Sequence, residues 1–189
     1  MTVYRLPDLE ALAQTISLEE YVERYPFSVL VARKIMGGQL QHQMTENIGR
    51  HKAKPKSTML HMDPVEVAEA MDPCDSSMME TRPLTPARVF PVRKRSRGIG
   101  AIRIGRLAIN DVVINDYTVS KHHADLVWDS IGQRHSLIDQ GSTNGTAVGT
   151  MQLEDQDSCA IQCGYWLVFG RVVCEYLTAA SFYQKLRDA

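Results

Sequence analysis

Three short segments in the second half of the chain carry side chains that could bind an anion. Gly105-Arg106 closes one predicted strand, residues 118–123 lie between two others, and residues 141–146 join two more. Together they supply hydroxyls, an amide, glycines and the cations Arg106 and Lys121. Backbone N–H groups and hydroxyls in such loops form short bonds to anions, and cations add charge. No cluster of carboxylates accompanies them, so the segments predict an anion site and no metal.

Short β-strands must hold these loops in place. Apolar and β-branched runs separated by Gly and Asn-Gly turns predict nine strands, at residues 88–93, 101–104, 112–114, 124–128, 135–138, 146–148, 158–161, 165–169 and 172–176. Many short strands at near-regular spacing indicate a β-sandwich or barrel. The connections are too short for crossover helices, so the sheets should be mainly antiparallel.

Helical patterns lie at both ends of the chain. Residues 5–25 have helical spacing, with a capping box at Ser17 and Glu20 and a stop at Pro26. Residues 64–71 predict a short helix that begins with proline, and residues from 178 onward predict a helix packed on the edge of the sandwich. Residues 28–34 fit either a strand or a helix, because their β-branched residues favour a strand while Phe27, Leu30, Val31 and Ile35 also make a helical face.

Composition changes along the chain and suggests four parts. Residues 1–87 carry a net charge of −3 and residues 88–189 a net charge of +2. Residues 72–87 contain three prolines among polar residues, which is typical of a linker. We therefore predict a mostly helical N-terminal extension at 1–71, a linker at 72–87, a β-sandwich domain at 88–177 and a C-terminal helix at 178–189.

The whole chain has ordinary globular composition. Its 189 residues carry a net charge of −1, which argues against a general nucleic-acid binder. Short basic runs at 50–56 and 93–97 keep nucleic acid as an unfavoured alternative. There is no apolar run that could span a bilayer and no signal-peptide pattern at the start, so we expect a cytoplasmic protein with reduced cysteines.

The motifs in and around the three loops resemble those of the forkhead-associated (FHA) domain family, in a bacterial type with an N-terminal helical extension. The resemblance covers about half of the chain and lies in Ile104-Gly-Arg106, Asn110-Asp-Val-Val-Ile114, Val119-Ser-Lys-His-His-Ala124, Asp139-Gln-Gly-Ser-Thr-Asn-Gly-Thr146 and Trp166-Leu-Val-Phe-Gly170. It implies an antiparallel sandwich of eleven strands, whose loops at one end bind phosphothreonine peptides in protein kinase signalling.

The resemblance also implies a role for each matching residue. Arg106 and Ser120 would hold the phosphate, with Lys121 as a second cation, and Thr143 would reach the phosphothreonine. Asn144 would hold the peptide backbone. Three further residues would support the site structurally: Gly105, His123 and Gly145.

The implied partners are a phosphothreonine-containing protein and a Ser/Thr protein kinase or its substrate. No cofactor, membrane or catalysis is expected, since the pairing of Ser120 with His123 is explained without a nucleophile. Two alternatives stay open. One is a structural scaffold that does not bind phosphate, and the other is self-recognition, in which Thr81 or Thr85 is phosphorylated and binds the chain's own domain. The N-terminal residues Leu18, Tyr21, Val22 and Phe27 could form a second contact surface or pack back on the sandwich.

Overall fold

The computed structural model describes residues 6–36, 81–95 and 100–189. The helix predicted at 64–71 and the basic run at 50–56 lie outside these ranges. Three helices are present among the described residues: α1 (Leu6–Ala13), α2 (Leu18–Arg24) and α3 (Ala179–Arg187). The strands of the same ranges are β1 (Val29–Met36), β2 (Thr81–Pro91), β3 (Ile102–Gly105), β4 (Val112–Val113), β5 (Ala124–Asp129), β6 (Arg134–Asp139), β7 (Thr146–Val148), β8 (Met151–Leu153), β9 (Ser158–Ile161), β10 (Trp166–Phe169) and β11 (Val172–Leu177).

The strands form the predicted sandwich of two sheets. One sheet has the order β2-β1-β11-β10-β7-β8 and the other the order β4-β3-β5-β6-β9. Neighbouring strands are antiparallel except for β3 and β4, which pair in parallel over two residues. The expected eleven-strand, mainly β architecture is therefore confirmed for the described part of the chain.

Alternating side chains build the core between the sheets. In β6, His135, Leu137 and Asp139 are buried while the residues between them are only partly covered. In β1 both alternations are buried: Leu30 and Ala32 face the core between the sheets, and Val29 and Val31 face the opposite side. Burial of each large apolar side chain contributes about 1.5–3 kcal/mol to folding.

A second apolar cluster joins the three helices to the outer face of the six-stranded sheet. Tyr21 of α2 and Phe182 of α3 are buried there against Val31 and Leu177. Leu18 and Phe27 pack at its margin, and the Tyr183 hydroxyl donates to the backbone oxygen of Ile16 at 2.8 Å. Of the two alternatives for the N-terminal residues, the structure therefore favours packing onto the sandwich.

The helix ends follow the sequence signals. The Ser17 hydroxyl accepts from the Glu20 N–H at 3.2 Å, and the Glu20 carboxylate accepts from the Ser17 N–H at 2.9 Å. Thr178 caps α3, whose buried face consists of Phe182, Tyr183 and Leu186. The predicted capping box and C-terminal helix are both present.

The first two strands differ from the predicted division of the chain. β1 lies between β2 and β11 in the middle of a sheet, so residues 29–36 belong to the sandwich and not to a separate helical extension. β2 begins at Thr81, so residues 81–87, expected in the linker, belong to the sandwich as well. The prolines of β2 suggested a linker, but an edge strand tolerates proline because one side of its backbone has no strand partner.

Three further findings bear on the class of protein. None of the helices in the described ranges is long and apolar enough to cross a bilayer. The same residues contain no group of three or more His, Cys, Asp or Glu side chains that could hold a metal ion. Within the described ranges, Cys159, Cys163 and Cys174 are free thiols.

Candidate functional site

The three loops predicted to bind an anion meet at one end of the sandwich. The Arg106 N–H of the β3–β4 loop donates to the Ser120 oxygen of the β4–β5 loop at 2.9 Å. The Thr143 N–H of the β6–β7 loop donates to the Ser120 hydroxyl at 3.0 Å, and the Asn144 side-chain amide donates to the Thr118 oxygen at 2.8 Å. Residues up to 38 positions apart in sequence are therefore connected through one loop, β4–β5.

His123 braces these loops from below. Its ring is completely buried; Nδ1 lies 2.9 Å from the Ser120 N–H and Nε2 lies 3.1 Å from the Gly145 oxygen. Because Ser120 N–H can only donate and the Gly145 oxygen can only accept, the ring must be neutral with its hydrogen on Nε2. Burial lowers the pKa of His123 to about 4, against smaller raising effects from Asp139 and Gly145.

Two glycines permit the close approach of the loops. A Cβ at Gly105 would lie 2.5 Å from the Lys121 oxygen and 2.7 Å from Asn110 Nδ2, so any larger residue would force the loops apart. Gly145 has φ of +80°, a left-handed conformation that glycine adopts without strain. Its oxygen accepts both from His123 and from the Gly170 N–H, at 3.1 and 3.0 Å.

Above this framework the predicted binding side chains face solvent. Arg106, Lys121 and Thr143 are exposed, and Ser120 and Asn144 are half-buried. The Ser120 and Thr143 hydroxyls lie 3.3 Å apart. This arrangement combines hydroxyl donors and cations on three neighbouring loops, and it can chemically bind a small anion. The structure thus brings together the loops that carry the predicted residues; whether each contacts a ligand stays a prediction.

The same geometry does not fit a serine nucleophile activated by histidine. His123 Nδ1 faces the backbone N–H of Ser120 and not its hydroxyl, and Nε2 is occupied by Gly145. A nucleophile and its base need a direct hydrogen bond between their side chains. The Ser120 and His123 side chains do not make that bond; His123 bonds instead to the Ser120 backbone.

Sequence reasoning missed an ion pair beneath the site. Arg171, in the turn between β10 and β11, donates to Asp116 Oδ2 from Nε at 3.0 Å and from Nη2 at 2.9 Å. Asp116 Oδ1 accepts from the N–H and the hydroxyl of Thr118 at 2.9 and 2.7 Å. The only sequence signal for this ion pair was an acidic residue, Asp116, four positions before Ser120. That signal is weak, because an acidic residue in a loop is usually solvated.

A second carboxylate, Asp111, anchors the β3–β4 loop and uses part of the basic run at 93–97. It accepts from Lys94 Nζ at 3.0 Å, from the Arg95 N–H at 2.8 Å and from the Arg103 N–H at 2.9 Å. Burial alone would raise the pKa of Asp111, but these bonds outweigh burial and lower it. Arg95 also donates to the Ala108 and Asn110 oxygens. Lys94 and Arg95 therefore serve the loop, which weakens the nucleic-acid alternative.

The fold and loop cluster define a β-sandwich with a polar, anion-suited end. A family comparison then supplies the class: residues 102–170 match the FHA domain family. The resemblance inferred from the motifs is confirmed over these residues, which are about a third of the chain. The match begins at β3 and ends at Gly170, so it includes all three loops of the site.

Individual relatives were also found. Protein phosphatase 2C 70 of Arabidopsis thaliana is 34% identical over 56 residues, which are 30% of this chain and 10% of that protein. The chain thus spans about a tenth of the length of this curated relative. Mycobacterium tuberculosis EmbR, solved with a low-affinity phosphopeptide, is 26% identical over 48% of this chain and 22% of its own, with a TM-score of 0.40. A structure from a study of phosphothreonine-dependent FHA domain interactions is 25% identical over 55% of this chain and 90% of its own, with a TM-score of 0.38.

Proposed function

We propose that this protein binds phosphothreonine peptides and acts as a cytoplasmic adaptor in protein kinase signalling, without catalysis. Arg106, Ser120 and Lys121 bind the phosphate in this proposal, and Thr143 contacts the phosphothreonine. Asn144 holds the peptide backbone. The partner is a phosphothreonine-containing protein, either a Ser/Thr protein kinase or a kinase substrate.

One observation carries the proposal: Arg106 and Lys121 are exposed on the two loops whose backbones meet at Ser120, next to a pair of hydroxyls 3.3 Å apart. A phosphothreonine carries about −1.5 to −2 charges at neutral pH and three strong acceptor oxygens. A forked guanidinium, an ammonium and two hydroxyls match that charge and those acceptors. Neither cation has an ion-pair partner among the described residues.

A peptide array tests this function directly. The full chain is titrated against matched libraries that contain phosphothreonine, phosphoserine or unmodified threonine at the fixed position. Binding of the phosphothreonine library alone, or in preference to phosphoserine, supports the proposal. Equal binding of all three libraries, or of none, would favour the scaffold alternative, in which the fold is kept for protein contacts.

Self-recognition is a second candidate, favoured by the position of Thr81. Thr81 pairs with Met36 at the end of β1, and Ile35 pairs with Val172 directly after the turn that contains Arg171. The start of β2 therefore lies at the same end of the sheet as the candidate site. Because Thr81 and Thr85 are both within β2, binding within one chain would require this strand to leave the sheet, so we propose binding between chains.

Self-association after kinase treatment tests this second candidate. Mass spectrometry should find phosphate on Thr81 or Thr85, and size-exclusion chromatography should show a larger species that disappears in the Thr81→Val, Thr85→Val variant. Absence of phosphate at both positions, or an unchanged elution volume after phosphorylation, would argue against self-recognition.

A further inference from the structure

The ion pair of Asp116 and Arg171 connects to the site through a continuous set of hydrogen bonds. Asp116 Oδ1 accepts hydrogen bonds from the backbone N–H and the hydroxyl of Thr118. The backbone N–H of Arg171 donates to the same hydroxyl at 3.1 Å. Thr118 is 1% exposed, so these bonds fix its backbone in one place. Its oxygen then accepts from Asn144 Nδ2 at 2.8 Å.

This last bond sets the direction of the Asn144 amide. With one Nδ2 hydrogen committed to Thr118, rotation of the side chain would leave a buried backbone oxygen without its donor, which is unfavourable. An amide has a second Nδ2 hydrogen and an Oδ1 acceptor. Those two groups are the ones suited to the C=O and N–H of an extended peptide.

Arg171 is not placed to act as a further phosphate ligand. Nε and Nη2 are directed at Asp116, and Nη1 lies 3.3 Å from the Tyr117 hydroxyl. The guanidinium also lies against the Tyr117 ring, 4.5 Å from its centre. All three guanidinium nitrogens thus have partners within the protein, and the charge is neutralised by Asp116.

We propose that Asp116 and Arg171 are positioning residues for peptide binding, which hold Thr118 and thereby orient the Asn144 amide towards the peptide backbone. The inference rests on the proposed function, because it needs Asn144 to hold the peptide. The pair touches no ligand itself. The effect of the pair on peptide affinity must therefore depend on Asn144. A general loss of stability would not depend on Asn144, so the two effects can be distinguished by experiment.

A double-mutant cycle tests the dependence on Asn144. The probe is one phosphothreonine peptide, selected from the library by the wild-type chain, and the variants are Asp116→Asn, Asn144→Ala and their combination. We expect Asn144→Ala to weaken binding about tenfold and Asp116→Asn about fivefold, with less than about a twofold further loss when Asn144 is already alanine. A fivefold loss in both backgrounds, or no loss in either, would overturn the inference.

Two controls accompany the cycle. Lys185→Gln removes an ion pair between α3 and Glu175 of β11; neither residue belongs to the three loops, and the variant should leave peptide affinity unchanged. Thermal unfolding identifies any variant that fails to fold, and Arg171→Gln replaces Asp116→Asn in the cycle if that variant is unfolded.

A nuclear magnetic resonance measurement on the free protein separates this inference from the proposed function. In the wild type, the hydrogen-bonded Nδ2 proton of Asn144 should exchange slowly with solvent. In Asp116→Asn its resonance should shift upfield. The side-chain amide of Asn110, which donates to the Lys121 and Leu107 oxygens, should keep its signal unchanged. An unchanged Asn144 signal would contradict the positioning role even if the peptide binds. If the signal changes but the wild type binds no phosphopeptide, the orientation of Asn144 stands, and the proposed function and the peptide role of the pair are both refuted.

Discussion

The imidazole of His123 accepts a hydrogen bond from the backbone N–H of Ser120, with 2.9 Å between Nδ1 and the nitrogen. Through Nε2 the same ring bonds to Gly145 in another loop. One buried, neutral side chain therefore fixes two of the loops that form the candidate site. This ring therefore helps to set the relative position of the Ser120 and Thr143 hydroxyls, which lie on these two loops.

Acid should destabilise the protein through His123. The pKa of His123 is about 4 in the folded protein, against an ordinary value of 6.5, so between these pH values the unfolded chain binds a proton that the folded chain does not. The free energy of unfolding is thus highest above pH 6.5 and falls as pH decreases to 4, by up to about 3 kcal/mol from this residue. Urea unfolding at intervals from pH 7.5 to 4 measures the slope.

The contribution of His123 can be isolated with a variant. Burial lowers the pKa of His135 as well, so it adds a slope of the same sign. His123→Gln should retain the part from His135 and show a clearly smaller slope than the wild type over this range. Equal slopes in the two proteins would assign the acid sensitivity to other groups.

Gly105→Ala should destabilise the loop cluster. The added methyl would lie 2.5 Å from the Lys121 oxygen, and backbone has to move to relieve the overlap, at a cost of about 1–3 kcal/mol. Chemical unfolding compares this variant with Leu107→Ala, a change at an exposed side chain two positions away. A loss no larger than that of Leu107→Ala would show that the close approach of the loops is not needed.

The helical face should unfold together with the sandwich. Phe182 is 1% exposed in the cluster that joins α3 to the sheet, and Phe182→Ala should lower the free energy of unfolding by about 3–5 kcal/mol. Circular dichroism and tryptophan fluorescence should report one shared transition, and Gln184→Ala on the exposed side of α3 serves as control. Two separate transitions, or a loss below about 1 kcal/mol, would contradict a common core.

The sequence predicted the sandwich and its three loops because polar turn residues interrupt clear apolar runs there. It left residues 28–34 open for a physical reason: β1 is buried on both faces, so its apolar residues do not alternate as in a half-exposed strand. The prolines at positions 83 and 86 indicated a linker and in fact stand in an edge strand. The open assignment and the linker prediction both concern strands whose partners are distant in sequence.

Within the site, residue types were predictable and their connections were not. Arg106 and Ser120 were found from motifs, but the ion pair of Asp116 with Arg171 joins residues 55 positions apart. Nothing local distinguishes a charged loop residue that is paired from one that is solvated. Only the fold, which brings the β10–β11 turn against the β4–β5 loop, shows that these charges meet.

The phosphate-binding role of Arg106 is the central claim, and one titration tests it most directly. Isothermal titration calorimetry measures the affinity of a library-selected phosphothreonine peptide for three proteins: the wild type, Arg106→Ala and Arg24→Ala. The last is a control that removes an exposed arginine from α2. The account predicts tight binding to the wild type and to Arg24→Ala, and a loss of about 30-fold or more for Arg106→Ala. Equal affinity of Arg106→Ala and the wild type, or binding of the unphosphorylated peptide as tightly as the phosphorylated one, would contradict it.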